Sequence, residues 1–396
     1  MPMPSSPSGA LTLINADIDG RTTTLRILGS RIDTLGAAPQ AGDRVVDLQC
    51  DRVLPGLINA HDHLQLNSLP CLEFGSHYRN VRQWIDDINA RRRCDPAFEA
   101  SIAVSREERL AIGGVKNLLS GVTTVAHHDP LYPFLSNPHY PTKVVTGYGW
   151  SHSLYIDGEK KVCSAYRETP SDWPWIIHAA EGLDEEAATE FERLDALGCL
   201  GPNTLIVHGV AIGSEQRRRL GHAGAGLIWC PSSNLRLFGK TADVGDLVAL
   251  GRVALGSDSR LSGARDLLGE LHVAAEVGGF DDSTLESLVT RDSARLLRLS
   301  DRGVLQAGAR ADILILPARK RLATAKRADV RLVLVDGLVR YGVKEYAEQV
   351  APAAHWVEVR VDGSSRILDS GIAGLLSNAS VHEDGLELPN VTLRAA

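Results

Sequence analysis

His61 and His63 flank Asp62 at the end of an apolar run of strand length, residues 53–60. Side chains at i and i+2 of a strand share a face, so both imidazoles can reach one metal ion. Histidine is the commonest ligand for a borderline ion such as zinc. A single His-x-His pair is weak, and a lone histidine after an apolar run is more often a hydrogen-bonded part of the core. Here the pattern recurs. His178 follows Trp175-Ile176-Ile177, His208 follows Leu205-Ile206-Val207, and Asp258 ends the run through Val253-Ala254-Leu255. Three histidines and one aspartate make a sensible shell for one divalent ion that keeps a position open for water. Such an ion lowers the pKa of its water from about 15.7 toward ~7, giving a metal-activated hydroxide at neutral pH. Asp258 can serve twice, as a ligand and, through its second oxygen, as acceptor of the water proton. Glu181 follows His178 by one short loop. That spacing sets a carboxylate beside the ion without making it a ligand, where it can shuttle protons to a substrate heteroatom.

Residues at such positions need strands whose ends converge. Short apolar runs alternate with helical patterns from residue 53 to about 300. Helices are expected over 106–119, 184–197, 214–220, 244–250, 264–277 and 283–298. Strands are expected over 122–126, 142–146, 175–177, 205–207, 226–229 and 253–255. Strands that alternate with helices imply parallel βαβ units, and repeated in a circle they form a (β/α)8 TIM-like barrel with its site at the strand C-termini. Residues 11–50 and those after 303 have a different texture, short strand-like pieces punctuated by turns such as Asp19-Gly20 and Gly29-Ser30. The simplest organisation is a small composite β-sandwich from 1–52 and 303–396, with the barrel, 53–302, inserted between them. Only about 25 residues separate Trp150 from Ile176, so the barrel is expected to be shortened or distorted around 150–175.

Composition removes several function classes. The formal net charge is −7 and the pI is near 6.0, which offers no basic footprint for nucleic acid. No apolar run is long enough for a membrane span. The Pro/Ser-rich start has no basic segment followed by an apolar stretch, so no signal peptide is read. The six cysteines are scattered without a CxxC pair. They read as free thiols in a reducing cytoplasm.

Over nearly its whole length the chain resembles the amidohydrolase superfamily. More narrowly it is similar to the group of cytosine and guanine deaminases, S-adenosylhomocysteine-type deaminases and triazine chlorohydrolases. The resemblance rests on Pro55-Gly56-Leu57-Ile58-Asn59-Ala60-His61-Asp62-His63, Gly121-Val122-Thr123-Thr124, His178-Ala179-Ala180-Glu181, Val207-His208-Gly209, Cys230-Pro231-Ser232-Ser233-Asn234-Leu235 and Gly256-Ser257-Asp258, with Gly308 and Ala311-Asp312 at the return to the terminal strands. It implies that His61, His63, His178 and Asp258 bind one metal ion, zinc most readily, with iron or manganese also suited to the ligands. It implies that Glu181 is the proton shuttle and that His208 orients the water, the leaving group or a carbonyl. Two-metal relatives carry a carboxylated lysine on a middle strand. Lys143 starts its run rather than ending it, so one ion is expected.

The resemblance implies a hydrolase of C–N bonds in a small cyclic or heterocyclic substrate, most specifically a deaminase. An amide or ring-opening hydrolase, or a hydrolytic dechlorinase, would use the same site, and a non-catalytic barrel homologue is the reading outside enzymes. Candidate substrate contacts are Gln65, His77, His128, Trp150, His152, Asn234, Arg236 and Arg260, each of which can equally be a hydrogen-bonding neighbour of a ligand. The expected partner is a small molecule, with no nucleic acid and no membrane, and a homodimer is an analogy from the family. Asp62 points away from its neighbours and reads as structural.

Overall fold

The computed structural model describes residues 9–69, 71 and 76–389. Residues 1–8, most of the stretch read for a signal peptide, lie outside the described residues. The chain opens with β1 (Leu11–Ile18), β2 (Arg21–Leu28), β3 (Arg31–Leu35), β4 (Arg44–Asp47) and β5 (Arg52–Pro55). The run expected as one strand over 53–60 is in fact two. β5 ends at Pro55 and β6 (Leu57–Asp62) begins after Gly56. A Cβ on Gly56 would meet the Thr123 side chain at 2.3 Å, so only glycine lets the chain cross between sheets here.

Parallel strands follow: β6, β7 (Val122–His127), β8 (Lys143–Val144), β9 (Gly149–Ser153), β10 (Trp175–Ala179), β11 (Thr204–His208), β12 (Gly226–Trp229) and β13 (Val253–Leu255). They form a three-stranded sheet, β6-β7-β8, and a five-stranded one, β13-β12-β11-β10-β9. β10, β11, β12 and β13 are buried along their whole length, as strands sandwiched between a filled interior and an outer ring of helices must be. The expected alternation thus holds, but among the described residues no continuous ladder closes the ring. The irregularity lies slightly before the place expected. Residues 145–148 join β8 to β9 with no helix, too few for a helical crossover. The segment after β9 is instead a helix, Leu154–Glu168, kinked at Gly158.

The chain ends with β14 (Ile313–Leu316), β15 (Leu332–Val335), β16 (Leu338–Gly342), β17 (Trp356–Val361), β18 (Ser364–Asp369) and β19 (Leu386–Glu387). Both ends build one structure, through the antiparallel pairing of β5 with β14. The composite reading expected a sandwich. The pairing runs as one continuous eleven-stranded sheet, β19-β17-β18-β16-β15-β14-β5-β1-β2-β3, with β4 on β1.

Helix Arg106–Leu119 begins where Ser105 caps Glu108 N, and helix Glu185–Ala196 where Asp184 caps Ala187 N. The helical pattern over 283–298 is two short helices, Asp282–Leu288 and Arg291–Leu296, because Val289 turns its carbonyl to Ile58 N at 2.7 Å. Cys230-Pro231 opens a helix, Pro231–Phe238, with proline in the first turn where no donor is lost. No helix among the described residues is long and apolar enough to cross a membrane.

Candidate metal centre

Four imidazoles and one carboxylate meet at the strand ends. His61 and His63 come from β6 and the residue after it, His178 from β10, His208 from β11, and Asp258 from the turn beyond β13. Ligand atoms of His61, His178 and His208 lie within 4.8 Å of one another, as do those of His61, His63 and Asp258. The Nε2 of His178 is 3.2 Å from that of His61 and 3.4 Å from that of His63. Asp258 Oδ1 is 3.8 Å from both His61 Nε2 and His63 Nε2. The backbone turns sharply at these ends: Ala180, His208 and Asp258 have φ of 55°, 72° and 52°. Left-handed conformations cost non-glycine residues on the order of 1–3 kcal/mol and persist where surrounding structure enforces them, commonly at functional sites.

The outer nitrogen of each ring decides what the inner one can do. His63 Nδ1 lies 2.7 Å from Asp129 Oδ2 and donates to that carboxylate. His178 Nδ1 donates to the His152 carbonyl at 2.8 Å. His208 Nδ1 faces Asn234 Oδ1 at 2.8 Å. Asn234 Nδ2 donates to Thr241 Oγ1 at 3.1 Å, which fixes the amide so that its oxygen faces the ring. His61 acts through His128. The His128 Nε2 donates to the Ser151 carbonyl at 3.0 Å. Burial pushes His128 well below the usual imidazole range, so the ring is neutral and its Nδ1 is an acceptor. His61 Nδ1, 3.2 Å away, must then donate. All four rings carry a proton on Nδ1 and turn Nε2 inward, and in His61, His178 and His208 that Nε2 bears a lone pair.

Converging lone pairs repel one another unless a cation binds them. Burial lowers His61, His178 and His208 below the ordinary range, so protons do not fill that role. His63 differs: burial opposes its charge, but the Asp129 carboxylate, its hydrogen bond and Asp258 outweigh this and raise it to about 9. Asp258 is oriented from behind, with Oδ2 accepting from Ser233 Oγ at 2.7 Å and Ser262 Oγ at 3.0 Å. The donor set suits a divalent ion of the zinc type.

Glu181 is buried, with Oε1 3.5 Å from His208 Nε2. Burial first, then Asp258 and Glu190, push it well above the ordinary carboxylate range. Its protonated form is therefore favoured beside the cluster.

The remaining expected contacts fall into two groups. The His152 ring packs at 4.9 Å on that of His178, and burial lowers it to about 4. Trp150 stands edge-on to His128 at 5.4 Å. Gln65 donates to Asp129 at 2.7 Å, and Asn234 holds His208. Against the substrate contact expected of it, His128 is buried with both ring nitrogens engaged, leaving neither for a ligand. Arg236 lies away from the imidazoles, against Cys71, and His77 lies against Gly239. Arg260 is drawn to Glu383, at 2.7 Å, and to the Asn67 carbonyl. Asp129, Ser233 and Ser262 were missed as site residues. Asp129 carried a usable signal, being an acid just beyond the end of β7; the serines carried none.

A profile of the Amidohydrolase family matches residues 168–340. The 8-oxoguanine deaminase of Pseudomonas aeruginosa is 38% identical, over 88% of this chain and 90% of its own. The 5-methylthioadenosine/S-adenosylhomocysteine deaminase of Haloarcula marismortui is 30% identical, over 75% and 83%. Among solved structures, an adenosine deaminase from Xanthomonas campestris with bound zinc superposes with a TM-score of 0.67 at 18% identity, covering 85% of this chain and 94% of that one. An atrazine chlorohydrolase from Arthrobacter aurescens complexed with zinc also gives 0.67 at 18% identity, covering 83% and 94%. At such identities the structures show a shared fold.

Proposed function

The chain belongs to the amidohydrolase family, a metal-dependent family, and from that premise we propose that it is a hydrolytic deaminase of an amino-substituted heterocycle. The observation that supports this best is the set of inward Nε2 lone pairs beside one buried acid. His61, His63, His178 and Asp258 would hold a single ion, zinc before iron or manganese. When bound, that ion supplies water activated for attack at neutral pH.

The residues of the chain then divide the remaining work. Glu181 delivers the proton it already carries to a ring nitrogen of the substrate, which makes the neighbouring carbon more electrophilic. A second proton must reach the departing amine; Glu181 can ferry it from the attacking water, and the proton left on that oxygen returns to Glu181 and restores the acid. His208, locked by Asn234, presents an Nε2 acceptor 3.5 Å from Glu181 and orients the oxygen that ends on the ring carbon. Trp150 and His152 offer aromatic edges to a planar ring, and Gln65 offers its amide oxygen. A protonated acid favours an amine leaving group, which needs a proton, over chloride, which needs none.

The 8-oxoguanine deaminase relative supports a purine-like ring as the first substrate to test. No CxxC pair occurs among the six cysteines, and their scattered spacing supports the expected cytoplasmic setting. The test is ammonia release by the metal-loaded protein from 8-oxoguanine, guanine, 5'-methylthioadenosine and aminotriazines. Turnover of at least one is expected. No ammonia from any amino-heterocycle, or chloride release from a chlorotriazine alone, would refute the deaminase reading.

A further inference from the structure

A fully buried cation takes no part in the chemistry above. Lys116 sits in helix Arg106–Leu119 with no exposed surface. Its ammonium reaches Asp62 Oδ2 at 3.2 Å, Asn67 Oδ1 at 2.7 Å and Ser257 Oγ at 3.1 Å. An ammonium has three donors, and all three are committed. Their acceptors lie on separate pieces of the site. Asp62 stands between the two β6 histidines, Asn67 in the turn that follows, and Ser257 next to Asp258.

These pieces meet where the ring of strands lacks a ladder. β6 and β13 belong to different sheets, joined here by a backbone bond from Asp258 N to the His61 carbonyl at 3.0 Å. Side chains complete the join: Asn59 Oδ1 accepts from Ser257 N at 3.0 Å, and Asn59 Nδ2 donates to Ser257 Oγ at 2.8 Å. The approach is close enough that a Cβ on Gly256 would meet His61 Cβ at 2.6 Å. Asp62 also accepts from Asn67 Nδ2 at 2.7 Å and Asn117 Nδ2 at 2.8 Å.

A buried ion pair is poor evidence for stability, since an apolar pair of the same shape often serves a fold equally well. Its location supplies the better explanation. We infer that Lys116 is a positioning residue that clamps Asp62, Asn67 and Ser257 together, and so holds His61 and His63 in register with Asp258 across the β6–β13 seam. The inference rests on the ligand assignment proposed above. The competing explanation is that Lys116 only neutralises Asp62.

The test compares the wild type, Lys116→Met and the double variant Asp62→Asn/Lys116→Met. Zinc affinity is read by chelator competition and ligand geometry by the visible spectrum of the cobalt-loaded protein, with circular dichroism as the check on folding. A wild type that binds no stoichiometric zinc refutes the ligand assignment itself. If it binds zinc, Lys116→Met should bind about 10- to 100-fold more weakly, the usual cost of losing support behind a metal ligand. The cobalt bands should shift, and the double variant, freed of its unpaired charge, should still fall short of the wild type. Wild-type affinity and spectrum in folded Lys116→Met overturn the inference. So does a double variant that matches the wild type, because neutralising Asp62 would then be the whole role. If neither variant folds, the lysine serves the fold rather than the register, and the inference fails as well.

Discussion

Replacing His128 with phenylalanine tests the tautomer argument directly. Phenylalanine keeps the ring stacked on His178, at a centroid distance of 4.3 Å and 6° from parallel, and removes only the two nitrogens. His61 Nδ1–H then loses its acceptor in a fully buried place. Without metal, the His61 proton can move to Nε2 and bond toward Asp258 Oδ1, 3.8 Å away. The bond to the Ser151 carbonyl is lost with and without metal, so that cost cancels when affinities are compared. Metal binding forces the proton back to the orphaned Nδ1, and the penalty appears there. An unsatisfied buried donor costs about 1–3 kcal/mol, and each 1.4 kcal/mol is about tenfold in affinity. His128→Phe should therefore bind zinc about 5- to 100-fold more weakly by chelator competition. His128→Gln, whose oxygen can accept from His61, should recover part of the loss. A folded His128→Phe protein with zinc affinity within about threefold of the wild type would refute the reasoning, since His61 would then need no fixed tautomer.

Further expectations concern the acid, the metal and a distant carboxyl group. Glu181→Gln should retain zinc yet lose about 100-fold or more in kcat/KM, the scale of general acid–base catalysis; full activity would remove Glu181 from the chemistry. Stripping the ion with chelator should lower the melting temperature and zinc should restore it, because at 100 times Kd a ligand adds about 2.7 kcal/mol to the folded state; an unchanged melt would argue against a site formed by the fold. Glu270 is buried, accepts from Ser232 N at 2.8 Å and is raised to about 8, chiefly by burial. A carboxyl group raised on folding favours the native state below its unfolded pKa, and this contribution is lost as pH rises toward 8, at up to about 1.4 kcal/mol per pH unit. Glu270→Gln should therefore gain stability relative to the wild type at pH 8 but not at pH 4.5, as read from urea denaturation at both; a pH-independent difference would count against an ionisation penalty there.

The strand ends that carry His61, His178, His208 and Asp258 were legible because each follows an apolar run, and burial on both faces of a parallel strand imposes that texture. His178 and His208 stand where the β10 and β11 runs placed them. What lay beyond the sequence was orientation. His128 and Arg260 sit at strand ends as surely as His61 does, yet one is turned behind a ligand and the other toward Glu383. Residue type and spacing do not distinguish those directions. Lys116 was obscured for a related reason: in a helical pattern a lysine reads as solvent-facing, and only the packing of its helix under β6 shows it buried. The split at Gly56 was also hidden, because β5 and β6 are both apolar and only their partners differ. The break between β8 and β9 fell just upstream of the short passage that hinted at it.

The four outer hydrogen bonds share one logic. Asp129, the His152 carbonyl, the Asn234 amide oxygen and the Ser151 carbonyl, acting through His128, are all acceptors where the rings need them. Each draws a proton outward, and together they leave the cluster rich in acceptors. Asp258 adds another, since its serine partners engage Oδ2 and leave Oδ1 facing the histidines. Glu181 is raised by burial next to these acceptors, and so is a carboxyl group with a proton to give. A site of this composition is organised to hold a cation and to pass protons through one carboxyl group. Replacing an amino group by oxygen on an aromatic ring makes both demands: the nucleophile must lose two protons, and the ring and the leaving amine must each gain one. The geometry therefore constrains the reaction more tightly than the substrate, whose outline is left to the residues around Trp150 and His152.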